Sequence, residues 1–266
     1  MYSDSSTDFT YIHFTNTPMA SFTSIHEVES YPSPELAEFD FSEMSIDESV
    51  RNHALYGCGS LCHIFILASR LRGMDQLLFD MVAEPKMAEA VIEKVALFAL
   101  ELNSKTLALA GDRLDSFNLW DYVAMQSGLL MSPQYWRRYL KGWYAKIFSV
   151  AKKSSLYIFY HYYGSFHQII PDLIDIDVDI LDPIQTSAHE MDLKTLKKRY
   201  GNRACWHGGI DVQHLLPFED PTVIKYAVDE ARELFGLDGG IVLGPSHEIT
   251  PDTPIENIIA LYRMQD

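Results

Sequence analysis

Cysteine and positive charge are both scarce in this sequence. Three cysteines occur among 266 residues, an odd number that does not suit the disulfide framework of small secreted proteins. Lysine and arginine total 21 against 37 aspartates and glutamates, which gives a formal net charge of −16. A chain this acidic lacks the basic surface that nucleic acids and anionic membranes attract. We therefore expect neither a nucleic acid nor a membrane as a partner.

Long apolar runs are missing as well. No stretch approaches the roughly 20 apolar residues that a bilayer-spanning helix needs, and the first residues do not show the basic and then apolar layout of a signal peptide. Together with the few cysteines, this predicts a cytoplasmic protein. The apolar fraction of 47% and the charged fraction of 22% are typical of a globular chain with a packed core.

Residues 1–47 are the least regular part of the chain. They are rich in serine, threonine, proline and acidic residues, and we predict that they form an extended arm. One helical turn is predicted within the arm, because Ser24-Ile-His-Glu27 has the pattern of a capping box. Regular apolar patterns begin after the arm, so residues 48–266 are predicted to form the folded domain.

Short apolar runs alternate with helical patterns throughout that domain. About six such runs can be recognised: Ala54–Gly59, Ser116–Trp120, Leu156–Tyr160, Val178–Leu181, Ala204–Trp206 and Gly240–Leu243. Most are too short for a buried helix and suit strands that are covered on both faces. Strands and helices in alternation predict a parallel α/β sheet or barrel.

Side chains capable of chemistry follow the last four of these runs. The clusters are His161-Tyr-Tyr-Gly164, Asp182-Pro-Ile-Gln185, His207-Gly-Gly-Ile-Asp211 and Gly244-Pro-Ser-His-Glu248. In a parallel barrel the active site is assembled from the loops at the carboxyl ends of the strands. We therefore expect these clusters to meet in one cleft.

Several short motifs also occur in a specific order. They are Leu71-Arg-Gly-Met74, Gly128-Leu-Leu-Met-Ser-Pro133 with Trp136-Arg137, the four strand-end clusters, and Asp252-Thr-Pro-Ile-Glu-Asn257. In this order they resemble the uroporphyrinogen decarboxylase superfamily, which also contains the corrinoid-linked methyltransferases. The resemblance implies a (β/α)8 barrel of the TIM type with one cleft. Since about six strands are recognisable, the barrel would be incomplete, and the arginines and central aspartate of the decarboxylases have no counterpart here.

The resemblance suggests roles for the residues of the cleft. The candidate catalytic residues are His161, His247, Asp211, Asp121 and Tyr163. Their imidazole and phenol groups could donate protons, and their carboxylates could stabilise a cation. The candidate substrate-binding residues are Gln126, Gln185 and His207. Structural alternatives stay open, since a strand-end histidine can satisfy a backbone carbonyl and an aspartate after two glycines can cap a turn.

The resemblance also bears on metals. The methyltransferases of this superfamily hold zinc with a His-x-Cys pair after the fifth strand and a further cysteine near the eighth, and the zinc activates a thiol. Here His161 is in place, but Tyr163 occupies the cysteine position and Ser246-His247 lies where the last cysteine is expected. We expect no metal and no cofactor. A zinc or other metal site built on His161, His247 and a carboxylate is the alternative.

The function implied is a cofactor-independent decarboxylase, a carboxy-lyase, that acts on a pyrrolic or small carboxylated substrate. The four strand-end clusters contain no lysine or arginine, which weighs against a polyanionic porphyrinogen. Two alternatives stay open. One is a methyltransferase-branch protein with a degenerate zinc site, which would meet a corrinoid protein, and the other is a binding subunit without catalysis.

An incomplete barrel has a consequence for association. It would leave two sheet edges open, and proteins normally cover such edges. We therefore expect either that the arm covers an edge or that the chain forms a homo-oligomer.

Overall fold

A parallel β-sheet lies at the centre of the molecule. The computed structural model describes residues 16–42, 44, 53–54, 56–59, 63–201, 203–236 and 240–263. Within them the sheet has six strands, in the order β1 (Tyr56–Cys58), β2 (Ser116–Trp120), β5 (Tyr157–His161), β6 (Ile180–Ile184), β7 (Cys205–Ile210) and β8 (Ile241–Pro245). Each neighbouring pair is parallel. The order in space follows the order in the chain, as in barrels of repeated strand and helix units. The prediction of an α/β fold of the TIM-barrel type, with six recognisable strands, is confirmed.

Helices connect the strands. They are α1 (Ile25–Ser30), α2 (Ile64–Arg72), α3 (Met74–Ala83), α4 (Pro85–Ala110), α5 (Pro133–Trp136), α6 (Gly142–Lys153), α7 (Ile170–Asp175), α8 (Leu193–Tyr200), α9 (Leu215–Phe218), α10 (Pro221–Phe235) and α11 (Ile255–Tyr262). A π-helical turn at Arg137–Lys141 joins α5 to α6. A small antiparallel hairpin, β3 (Ala124–Met125) and β4 (Gly128–Leu129), follows β2 and lies outside the main sheet. Among the described helices, none combines the length and the apolar character needed to cross a bilayer.

Several helix starts are set by local side chains. Ser132, Asp192 and Asp220 each accept a hydrogen bond from a backbone N–H in the first turn of the helix that follows. These contacts satisfy donors that have no partner within the helix itself. Helix α11 differs from these, because it begins after Pro254 without a side-chain cap.

The core is continuous from the sheet to the helices around it. Phe117, Ile158, Leu181 and Trp206 on four strands are buried, and they belong to the same apolar cluster as buried side chains of α4 and α6. Burial of apolar surface on both faces of the strands is the main source of stability in such a fold. The sheet is therefore a rigid base for the loops at its carboxyl edge.

The described part of the amino-terminal arm is attached to this core. Met19 and Val28 of the arm are buried in the main apolar cluster. Buried Arg72 donates hydrogen bonds from Nη1 to the carbonyl oxygens of Met19 (2.6 Å) and Phe22 (2.8 Å), and its Nε donates to Asp80 at 2.7 Å. The predicted capping box at the start of α1 is confirmed. The boundary at residues 47 and 48 lies outside the described residues and stays a prediction.

Candidate functional site

A cleft of about 760 Å³ lies at the carboxyl edge of the sheet. Strands β2, β5, β6 and β7 contribute Trp120, His161, Asp182 and His207 to its wall, and the loop after β8 contributes His247. The strands are parallel, so their carboxyl ends meet at one edge. The expectation that the strand-end clusters share a cleft therefore holds for these side chains.

The carboxylate of Asp182 is shared by two histidines. Nδ1 of His161 lies 2.5 Å from Oδ2, and Nδ1 of His207 lies 2.5 Å from Oδ1. His161 is the direct neighbour of Asp182 across the β5–β6 pair, and His207 stands on β7, the next strand. The histidine side chains are each 33% exposed, whereas Asp182 is only 10% exposed. The two imidazole rings therefore face the cleft, and the carboxylate that holds them is nearly buried behind them.

The charge of Asp182 determines which ring nitrogens are available. Burial by itself would raise the pKa of Asp182, but the hydrogen bonds from His161 and His207 lower it below the usual value for aspartate. An ionised carboxylate can only accept hydrogen bonds, so each Nδ1 carries a proton. Nε2 of each ring is then left for chemistry, as an acceptor in the neutral ring and as a donor in the protonated ring.

His247 and Tyr163 stand beside this pair. The ring centroid of His247 lies 6.0 Å from that of His161 and 5.4 Å from that of Tyr163. Burial and the positive charge of a protonated His161 lower the pKa of His247. Burial and the hydrogen bond with Tyr122 raise the pKa of Tyr163. At neutral pH the cleft thus presents a neutral imidazole and a protonated phenol at these positions.

Gln126 and Gln185 lie in a second cleft of about 530 Å³. The two clefts adjoin, because Tyr163, His247 and Glu248 line both of them. Gln213, from the loop after β7, lines the second cleft as well. The two predicted substrate-binding glutamines are therefore close to the histidines but not among them.

Asp121 lies at the wall of the larger cleft, but its carboxylate is engaged by the protein. Its oxygens accept hydrogen bonds from the backbone N–H groups of Phe65 (2.8 Å) and Ile66 (3.0 Å) and from the hydroxyl of Tyr144. Burial raises the pKa of Asp121, and these hydrogen bonds offset only part of the effect. Its contacts are those of a residue that anchors the first turn of α2.

Asp211 is not brought to the histidines. Its carboxylate accepts a hydrogen bond from the backbone N–H of Gln213 at 2.9 Å and lies 2.9 Å from Nδ1 of His214. It lines a separate cavity next to Leu193. The geometry matches the structural alternative, in which Asp211 caps the turn after β7.

Two residues that form central hydrogen bonds of the site, Asp182 and Gln213, were not predicted as site residues. Asp182 belongs to one of the four strand-end clusters, and its strand lies between the strands that carry His161 and His207. This position in the sequence is the signal that could have identified it. Gln213 had no such signal, because it lies in a loop and gains its partners from distant segments.

The zinc site of the methyltransferases does not fit these residues. Tyr163 stands in place of a thiolate, and the raised pKa of its phenol keeps it protonated. The hydroxyl of Ser246 is buried and accepts a hydrogen bond from the backbone N–H of Val212. In the part of the chain that the structure describes, no three histidine, cysteine or acidic side chains are grouped to hold a metal ion. A thiol-activating zinc site has no basis in this donor set.

Comparison with known proteins agrees with the fold. The sequence model for "Uroporphyrinogen decarboxylase (URO-D)" matches residues 16–265. No curated protein matches the chain. Among solved structures, a methyltransferase from Methanosarcina mazei is similar, with a TM-score of 0.61 and 23% sequence identity. The similar region covers 78% of this chain and 57% of that methyltransferase. Because the family match extends over nearly the whole chain, the protein belongs to the uroporphyrinogen decarboxylase family.

Proposed function

We propose that this chain is an acid–base enzyme that decarboxylates a small carboxylated substrate, such as a single-ring pyrrole, without a cofactor. The observation that supports the proposal is the sharing of Asp182 by His161 and His207 in the wall of the larger cleft. A carboxylate that holds Nδ1 of an imidazole orients the ring and leaves Nε2 for proton transfer. A histidine at a strand end can be satisfied by a single backbone carbonyl, so two imidazoles held by one carboxylate favour a catalytic role.

The proposed reaction consumes one proton, and the electron pair of the broken carbon–carbon bond stays on the substrate. Protonated His161 donates the proton on Nε2 to a ring carbon of the substrate, which becomes a cation. The bond between the substrate and its carboxylate carbon then breaks, carbon dioxide leaves, and the bonding electrons neutralise the cation. The ionised Asp182 stabilises positive charge during this step, and His207 holds the second oxygen of Asp182.

The acidic lining of the two clefts favours a substrate with few carboxylates. Among the described residues that line the two clefts there is no lysine or arginine, whereas Asp182, Glu248 and Asp252 are present. A substrate with many carboxylates would be repelled by this surface. A substrate with one carboxylate could pair with a protonated imidazole.

Carbon dioxide release from single-ring pyrrole acetates and from uroporphyrinogen tests the proposal. We expect release from a pyrrole acetate and little from uroporphyrinogen. His161→Gln and Asp182→Asn should each reduce the rate by about 100-fold or more, because proton transfer by a positioned group contributes that much. His26→Gln, in the exposed helix α1, is the matched control and should leave the rate unchanged. A chain that releases carbon dioxide from none of these compounds would contradict the proposal.

A methyltransferase function is the second candidate. It is favoured by the similarity to the methyltransferase from Methanosarcina mazei, which at 23% identity is evidence of a common fold. Metal analysis of the purified chain separates the two candidates. Stoichiometric zinc that disappears in His161→Gln, together with methyl transfer from a methylated corrinoid to a thiol, would replace the decarboxylase proposal. If alanine at His161 and at His247 changes neither turnover nor the affinity for any ligand, a non-catalytic binding subunit is the better interpretation.

A further inference from the structure

We propose that the smaller cleft is a subsite for an uncharged amide, either a carboxamide or a lactam. The proposal that this cleft binds part of the substrate rests on the proposed function, because the cleft adjoins the larger one. The binding of an amide can be tested by itself, without any reaction. The subsite is built from three glutamines, Gln126, Gln185 and Gln213, on three different loops.

The three side chains form one hydrogen-bonded network. The backbone N–H of Gly164 donates to Oε1 of Gln185 at 3.0 Å. Nε2 of Gln185 donates to Oε1 of Gln213 at 3.0 Å, and Nε2 of Gln126 donates to the same oxygen at 3.0 Å. The hydroxyl of Ser187 also donates to it, at 3.1 Å. The oxygen of Gln213 is therefore fully occupied.

The direction of this network follows from the backbone donor at Gly164. A backbone N–H can only donate, so the carbonyl oxygen of Gln185 must face it and the amino group of Gln185 must face Gln213. Gln213 then has to present its oxygen to the network, and Gln126 has to present its amino group. The orientation of all three amides is thus determined by a group that cannot reverse its role.

Two polar atoms are left over by this arrangement. Within the described residues, Nε2 of Gln213 and Oε1 of Gln126 make no hydrogen bond, and both side chains line the cleft. One is a donor and the other an acceptor, and they belong to neighbouring amides that are joined at 3.0 Å. A ligand group that offers an acceptor beside a donor complements them, and an amide is the simplest such group.

The charges of the cleft exclude the anionic counterpart of an amide. Glu248 and Asp252 line the same cleft, and a carboxylate placed among them would be repelled. A carboxylate also lacks the donor that Oε1 of Gln126 requires. An ammonium group has donors but no acceptor for Nε2 of Gln213. The neutral amide satisfies both glutamines.

The position of Gln126 depends on a close contact between backbones. Gly164 has a φ of 89°, and a Cβ atom at this residue would lie 2.8 Å from the carbonyl oxygen of Met125. The backbone N–H of Ser165 donates to that same oxygen at 2.8 Å. The β3–β4 hairpin, which carries Gln126 at its turn, is therefore pressed against the segment that anchors Gln185.

Titration of the full chain with 2-pyrrolidinone, followed by NMR of the side-chain NH2 groups, tests the subsite. We expect the NH2 resonances of Gln213 to shift and N-methyl-2-pyrrolidinone, which has no donor, to bind about tenfold more weakly. In Gln213→Glu the free donor becomes an acceptor, so 2-pyrrolidinone should lose at least about tenfold in affinity. Gln134→Glu makes the same change at an exposed glutamine outside both clefts and should retain wild-type affinity.

The outcomes separate this proposal from the proposed reaction. Equal affinity for the two lactams, or unchanged affinity in Gln213→Glu when circular dichroism shows an intact fold, would overturn the subsite. The same titration of His161→Gln should give wild-type affinity even though its carbon dioxide release is lost. Lactam binding without decarboxylation of any tested compound would therefore support the subsite and contradict only the reaction.

Discussion

At the scale of single residues, hydrogen-bond partners decide what each candidate can do. His161 is the last residue of β5, Asp121 directly follows β2, and both line the larger cleft. His161 is held by one nitrogen and keeps the other for the cleft, whereas Asp121 uses both of its oxygens within the protein. A similar place in the sequence thus leads to different chemistry.

His63 is a further residue whose surroundings set its charge. It stacks on Trp120 with ring centroids 4.2 Å apart, and its side chain is buried. Burial, with a contribution from the positive charge of Arg70, lowers the pKa of His63 from 6.5 to about 4. Between these two pH values the unfolded chain binds the proton and the folded chain does not.

We expect His63 to weaken the fold in mild acid. Because the folded pKa is the lower one, the stability that His63 contributes is complete above pH 6.5 and is lost as the pH falls toward 4. The full shift corresponds to about 3 kcal/mol. His63→Phe keeps the stacking but cannot titrate, so its free energy of unfolding should depend less on pH in this interval. Urea unfolding between pH 7 and pH 4, at about every half pH unit, measures how steeply the free energy of unfolding depends on pH.

Exposed His26 provides the control. His26→Phe should show the same pH dependence as the wild type, because His26 is an exposed residue of helix α1. Parallel stability curves for His63→Phe and the wild type would contradict the expectation.

At the scale of elements, side chains from distant segments fix the ends of helices. Asp121, at the end of β2, binds the first turn of α2 across 56 residues of sequence. Tyr144 of α6 donates its hydroxyl to the same carboxylate. One buried carboxylate therefore ties a strand to two helices, and donors from both helices offset part of the cost of burying it.

We expect Asp121→Asn to reduce stability. Asparagine keeps one acceptor and turns an NH2 group toward a backbone donor, so the free energy of unfolding should fall by about 2 kcal/mol. Tyr144→Phe removes one donor and should cost about 1 to 2 kcal/mol. Chemical denaturation measures both, and hydrogen exchange at the N–H groups of Phe65 and Ile66 should accelerate in Asp121→Asn.

Asp112→Asn is the matched control for the element. Asp112 is 87% exposed, and its change should alter stability by no more than about 0.5 kcal/mol. If Asp121→Asn is as stable as Asp112→Asn but loses carbon dioxide release, Asp121 acts in the reaction after all.

At the scale of the whole molecule, the described part of the sheet has two edge strands, β1 and β8. In the described part of the chain, β1 pairs only with β2 and β8 pairs only with β7. Next to β8, helix α11 exposes Ile255 (71%) and Ile259 (44%). Apolar side chains beside an unpaired strand form a surface that other chains can cover.

We expect a second copy of the chain to cover this surface. Sedimentation velocity over a range of protein concentrations should show reversible association, and Ile259→Glu should weaken it because a charge would be buried at the contact. Leu97→Glu places the same charge at a side chain of α4 that is 51% exposed, and it should associate like the wild type. A compact monomer at every concentration would contradict the expectation.

The sequence by itself determined much of the fold. The strand Ser116–Trp120 was predicted at the residues where it occurs, because the length and apolar character of a strand are local properties. The capping box from Ser24 to Glu27 was predicted for the same reason. The meeting of several strand ends in one cleft followed from parallel alternation alone.

Only the tertiary structure decided which of the candidates act together. It joined His161 and His207 through Asp182, turned Asp121 toward α2, left Asp211 in its own turn, and brought Gln213 to Gln126 and Gln185. The physical reason is that the direction of a side chain depends on hydrogen-bond partners that lie far away in the chain. Local patterns reveal where a strand ends, but they do not contain the partner that its last side chain will meet.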